Sequence, residues 1–177
     1  MDGLNTKADV IQQILKDDDT YPNNDNLPLL LYINVLNLTK ECPGDLIDEL
    51  FENNGWGGSW VNGIYKFHHY HSTAHEVLGC ISGSAKVQLG GEDGIIKTFG
   101  RGDVMVIPAG VSHKNLRSGS DFRVVGAYPF GQSPDMCRGG SKERPEADQN
   151  IASVKLPEKD FVFGETGPII DCWIQKL

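Results

Sequence analysis

The chain has 177 residues, 39% of them hydrophobic, with 24 acidic against 16 basic side chains and a formal charge of -8. That length is enough to bury one core and argues for a single domain, 1–177, while an acidic balance without a basic stripe excludes the electrostatics of nucleic-acid binding. No N-terminal stretch pairs charge with an apolar run as a secretion signal does. The longest apolar run, Leu27 to Leu38, is interrupted by Pro28, Asn34 and Asn37, which excludes a membrane span and predicts a soluble, cytoplasmic protein.

Taken in order, Val10 to Leu15 fits two templates. Val10, Ile11, Ile14 and Leu15 share a helical stripe, and Val10, Gln12 and Ile14 alternate as on an edge strand, so its type is open. Asp17, Asp18 and Asp19, ahead of the turn-forming stretch Tyr21 to Asp25, read as a solvated loop, and their spacing is not that of an EF-hand. Leu29 to Leu36, opened by Pro28, reads as a strand buried on both faces. From Asp45 to Asn54 the positions Leu46, Ile47, Leu50 and Phe51 recur at helical spacing, with Asp45 able to cap the start and Asn54-Gly55 the end. This is the one short amphipathic helix, packed on the outside.

After a glycine-rich loop from Gly55 to Trp60 the texture becomes all-β. Short runs separated by glycine predict strands at Ile64 to His71, Glu76 to Ile81, Ala85 to Leu89, Ile95 to Phe99, Val104 to Ile107 and Phe122 to Tyr128. Gly90 to Gly94 supplies a hairpin between the third and fourth of these. Gly131 to Pro145 is rich in Gly, Ser, Pro and charge and predicts a long surface loop that wraps or covers something. The tail returns to strand-like pieces at Phe161 to Phe163 and Ile169 to Ile174. Cys42, Cys80, Cys137 and Cys172 are scattered without a C-x-x-C pair, so reduced structural thiols are expected.

Chemistry concentrates between Gly63 and Gly83, which hold four of the five histidines. On a strand, His69 and His71 project from the same face and make a two-pronged imidazole clamp. Glu76 follows a short polar break that lets the chain turn back, and His113 is a candidate fourth ligand. Alone, His113 is more often an ordinary loop histidine; in register with the other three it reads as a ligand. Alternation sends Tyr65 and Phe67 to the same side as the clamp, and Leu78 and Cys80 inward after Glu76. It turns Lys66, His68, Tyr70, His75 and Val77 away, which sets His68 and His75 aside as ligands. Tyr65, Phe67, Leu78 and Cys80 are therefore candidate pocket residues, joined by Tyr128; Cys80 serves as a small apolar filler and not as a nucleophile. His71 and His75 at i, i+4 could form a helical zinc clamp instead, but no glutamate lies inside the pair at the position that chemistry needs, and Val77 to Ile81 reads as strand. Three imidazoles and a carboxylate suit Mn, Fe, Ni, Co or Zn, whereas calcium and magnesium prefer oxygen shells, and the set leaves two octahedral positions open.

These residues resemble the cupins, small RmlC-like jelly-roll barrels with paired motifs G-x5-H-x-H-x3-4-E-x6-G and G-x5-P-x-G-x2-H-x3-N. Gly63, His69, His71, Glu76 and Gly83 complete the first motif; Gly102, Pro108, Gly110 and His113 follow the second. The final asparagine position holds Arg117, with Asn115 two places early, at a position that is not a ligand in the family. A narrower resemblance, through Asn54 to Trp56, His68 to Gly79 and Gly126 to Pro129, is to the YjlB-type bacterial cupins, a group with no assigned reaction. The resemblance implies a single cupin double-stranded β-helix, with the barrel at about 60–130, an N-terminal extension 1–55 and a C-terminal extension 131–177. It also implies metal ligation by His69, His71, Glu76 and His113, and a homodimer paired through its sheets. A metal-dependent oxygenase, isomerase or lyase acting on a small organic molecule is the expected function. The alternatives are a non-catalytic module that binds a small molecule or metal, and a barrel that has lost its metal.

Overall fold

The computed structural model describes residues 4–38 and 44–175. Its strands are β1 (Val10–Leu15), β2 (Asn24–Tyr32), β3 (Trp56–Asn62), β4 (Glu76–Ser82), β5 (Ser84–Leu89), β6 (Ile95–Gly100), β7 (Val104–Ile107), β8 (His113–Ser118) and β9 (Arg123–Pro129). Helix α1 (Gly44–Asn53) precedes β3, α2 (Glu146–Ser153) follows the long loop, and a π-helical turn occupies Ile170–Ile174. A six-stranded sheet in the order β1-β2-β7-β4-β9-β3 faces a three-stranded sheet in the order β6-β5-β8. All pairings are antiparallel, and the architecture is the jelly roll expected from the motifs.

Period-two alternation builds two cores from one sheet. Leu29, Leu31, Leu78, Met105 and Val124 face the small sheet, where Val87, Leu89 and Phe99 meet them. The intervening residues Leu30, Tyr32, Val77, Val106 and Ala127 face the opposite way, onto Ile47 and Phe51 of α1 and Phe161, Ile169 and Trp173 of the tail. A sheet covered on both faces explains why β7 is an unbroken apolar run, all four residues buried.

Several expectations change. Val10–Leu15 settles as an edge strand on β2. β2 begins before Pro28 and ends at Tyr32, so Pro28 lies inside it. The β1–β2 ladder is irregular between Gln13 and Leu15, opposite this stretch, so the missing N–H of Pro28 costs no regular ladder bond. Asp45 lies in the first turn of α1. The stretch read as a glycine loop is largely β3, bulged between Gly57 and Trp60 as it pairs with β9. The strand-like pieces of the tail are instead a turn at 161–163 and the π-helical turn, and α2 is a second helix where a single one was expected. Asp160 anchors that tail, accepting from Tyr32 Oη at 2.7 Å and from the N–H groups of Val162, Phe163 and Ile169. Cys80, Cys137 and Cys172 are buried, while Cys42 lies outside the described residues.

Candidate metal centre

Ile64 to His71 is an extended segment and not a full strand. It runs along β8 through a few main-chain bonds: Asn115 N–H donates to Tyr65 O at 2.8 Å, His113 N–H to His69 O at 2.9 Å, and His69 N–H to His113 O at 3.2 Å. Residues directly opposite in an antiparallel pair point to the same side. The His69 and His113 rings accordingly lie with centroids 4.0 Å apart. His113 thus opens β8 and does not close the preceding strand. Glu76 opens β4, which lies between β7 and β9 and delivers the carboxylate from the large sheet.

The three imidazoles converge. One ligand atom from each of His69, His71 and His113 lies within 4.8 Å of the others, and all three residues are buried. Their Nδ1 atoms are each occupied by a main-chain carbonyl: Phe67 O for His69 at 3.3 Å, Asp135 O for His71, and Val111 O for His113 at 3.2 Å. Carbonyl oxygens only accept, so each Nδ1 carries the proton and each Nε2 is left as a candidate donor to a metal. Glu76 completes the group, with Oε1 3.5 Å from His71 Nε2 and Oε2 3.3 Å from His113 Nε2.

Electrostatics follow from burial. Burial, then the neighbouring His113, holds the His69 imidazole down at about 3, so its ring is neutral at ordinary pH. Burial also pushes the Glu76 carboxyl up, but the neighbouring His71 and His113 imidazoles outweigh it and leave it well below its usual range. The same carboxylate raises His71 against the opposing effect of burial. Tyr128 Oη donates to Glu76 Oε1 at 3.1 Å and accepts from Trp60 Nε1 at 2.9 Å, which orients the carboxylate. Oε2 accepts no hydrogen bond in its buried position. A buried carboxylate oxygen without a donor, beside three neutral-capable imidazoles, fits a divalent transition metal. A cavity of about 370 Å³ opens on these four side chains.

The cupin profile matches residues 62–126. "Uncharacterized protein YjlB" of Bacillus subtilis (strain 168) is 41% identical over 159 residues, covering 90% of this chain and 93% of that protein. The chain is a cupin. Among solved structures, this cupin is similar to acireductone dioxygenase from Bacillus anthracis with a cadmium ion in its active centre, at 16% identity over 71% of this chain and 82% of that one, TM-score 0.40. It is also similar to dTDP-4-dehydrorhamnose 3,5-epimerase from Elizabethkingia anophelis, at 10% identity over 69% and 74%, TM-score 0.40.

The remaining sequence-predicted residues of the cupin divide. Tyr65, Leu78 and Tyr128 line the cavity; Phe67 and Cys80 do not. Phe67 stacks on Tyr65 and carries the Arg138 guanidinium 4.0 Å from its ring, and Cys80 Sγ turns to Ser82 O at 3.4 Å within the inter-sheet core. The apolar collar is also less buried than alternation suggested, since Tyr65 is half exposed. His68 and His75 stay out of the cluster, yet neither faces solvent. His68 pairs through Nδ1 with Ser112 Oγ at 2.8 Å, and His75 lies against Trp173 with Nδ1 accepting from Ala109 N–H at 3.0 Å. Among the lining residues that the sequence does not reveal are Trp60, Asp135 and Met136. The expectation that the Gly131 to Pro145 loop wraps or covers something is the only signal that points towards the last two.

Proposed function

We propose that this cupin holds one divalent transition metal through His69, His71, Glu76 and His113 and acts there on a small organic molecule. The observation that carries the reading is the convergence of three buried imidazoles whose Nδ1–H groups are all spent on carbonyls, next to a buried carboxylate oxygen with no donor. When bound, the metal would act as a Lewis acid or, if redox-active, support oxygen chemistry. The chain's own residues do the rest. The carbonyl-capped imidazoles hold one tautomer, and Tyr128 keeps one oxygen of Glu76 engaged.

Mn, Fe, Ni, Co and Zn all suit this donor set. Dioxygen uptake with iron(II)-loaded protein and none with zinc supports an oxygenase; turnover retained with zinc supports an isomerase or lyase. A second reading, a module that binds a metal-held small molecule without turnover, has one observation in its favour. Of the titratable lining residues beyond the ligands, Tyr128 and Asp135 are already committed to hydrogen bonds. Metal-loaded protein that binds candidate ligands but turns none over supports that reading.

Residues 1–177 are read as one cytoplasmic domain in which both extensions complete the barrel, and the functional unit as a homodimer. Support for the first is the outer core shared by α1, the tail and the large sheet. Among the described residues no helix is long and apolar enough to cross a membrane. Gel filtration at a dimer's size across micromolar concentrations is the expected result, and a monomer's size contradicts it.

A further inference from the structure

We infer that the ligand of this site is a small monoanionic chelator, with one head offering two oxygens to the metal and an uncharged, apolar body. The inference rests on the metal reading above and adds what the walls of the cavity select. Beside the four ligands, the apolar side chains of the lining are Trp60, Ile64, Leu78, Pro134 and Met136. Asn62 is its single side-chain amide. Such walls gain by burying carbon and hold few partners for a polar body.

The mouth carries the same chemistry. Tyr65 and Met136 are 51% and 48% exposed, and they are two of nine large hydrophobic side chains left exposed among the described residues. Gathering two of them at one opening leaves an apolar rim that the fold itself does not bury. An apolar ligand body passing through that opening covers it.

Charge sets the head. Among the described residues no lysine or arginine lines the cavity. Arg138, spread over Phe67, lies outside the lining, and Asp135 adds a second carboxylate to the wall. At the ion itself a dication offset by Glu76 keeps one net positive charge, which a monoanion neutralises, while the Asp135 carboxylate is taken up by Ser72 N–H and Oγ. A second anionic group, whether a carboxylate or a phosphate, finds no cationic partner here and pays its desolvation uncompensated. Three imidazoles and one carboxylate would leave room on a six-coordinate ion for two further oxygens, which two vicinal oxygens on one ligand would supply.

Calorimetric titration of the full-length zinc-loaded protein tests this, with zinc content measured before and after. The probes are 4-methylcatechol and 3,4-dihydroxybenzoate, which share the vicinal hydroxyls and differ in an apolar against an anionic substituent; affinities for free zinc serve as the correction. The expected result is that 4-methylcatechol binds at least tenfold tighter, and that Met136→Lys erases or reverses the preference while zinc is retained. Zinc-loaded protein that takes the carboxylate equally or more tightly, or takes neither probe, sinks this inference alone. Protein that never holds zinc sinks the metal reading as well.

Discussion

The Nδ1–H of His71 donates to the main-chain carbonyl of Asp135, joining a candidate metal ligand to a loop 64 residues further along the chain. The Asp135 carboxylate strengthens that junction by accepting from Ser72 N–H at 2.6 Å and Ser72 Oγ at 2.5 Å. Thr73 adds two more bonds, its hydroxyl donating to Ser133 O and accepting from Asp135 N–H. The loop is therefore a support for His71 as well as a wall of the cavity.

Asp135→Ala leaves the main-chain carbonyl in the sequence but releases the carboxylate that fixes its position. Outer-shell partners of this kind govern affinity by about ten- to a hundredfold. Zinc affinity, measured by competition with a fluorescent chelator, is expected to fall by that factor. Unchanged affinity would mean that the loop does not position His71.

Tyr128→Phe deletes the hydroxyl between Trp60 Nε1 and Glu76 Oε1. Two polar groups lose their partner at once, so unfolding in denaturant is expected to show a loss of about 1–3 kcal/mol. Zinc binding should weaken in the same variant, since Glu76 is freed to rotate. A variant as stable as the parent with full affinity would show the chain of bonds to be incidental.

Gly126 lies on β9 directly beneath Trp60, and a Cβ there would come within 2.3 Å of the indole ring. Gly126→Ala must move Trp60 off its place in the cavity wall. Overpacking costs about 1–3 kcal/mol, and thermal melts with tryptophan fluorescence should show both the loss and a changed indole environment. A parental melt would mean that Trp60 has room to give.

His75 predicts a pH dependence separate from the metal. Burial alone holds its imidazole down at about 4 against 6.5 for a free ring. Between those values the unfolded chain binds a proton that the folded chain refuses, so folding stability falls as pH drops from 6.5 towards 4. Fully expressed, a gap of that size is about 3 kcal/mol. With metal chelated, His75→Gln should flatten the decline of stability between pH 6.5 and 4 relative to the parent, measured by urea unfolding at several pH values. Parallel curves would show that His75 is not the proton-linked group.

The features legible in the sequence are those written in side-chain spacing. Ala85 to Leu89 alternates because one face looks inward, and Val104 to Ile107 is uniformly apolar because both faces are covered, so β5 and β7 appear almost residue for residue. His69, His71 and Glu76 were legible for the same reason. Main-chain partnerships leave no such mark. The extended segment before His71 and the bulged β3 are defined by hydrogen bonds to distant strands, and TrpGlyGlySerTrp carries glycine where Phe130 packs within 2.6 Å of where a Cβ would stand at Gly57. Alternation turns His68 and His75 away from the clamp, as found, but nothing in their spacing reveals that Ser112 and Trp173 return to cover them. The support that Asp135 gives His71 leaves no mark in spacing either, since it comes from a backbone oxygen.

The central claim is a metal held by four side chains, two from the extended segment and one from each sheet, and elemental analysis of gently purified protein tests it most directly. Near one equivalent of a divalent transition metal in the parent, with loss of most of it in both His69→Ala and His113→Ala of unchanged secondary structure, is the predicted result. Full metal retained in both variants, or none in the parent after reconstitution, would contradict it.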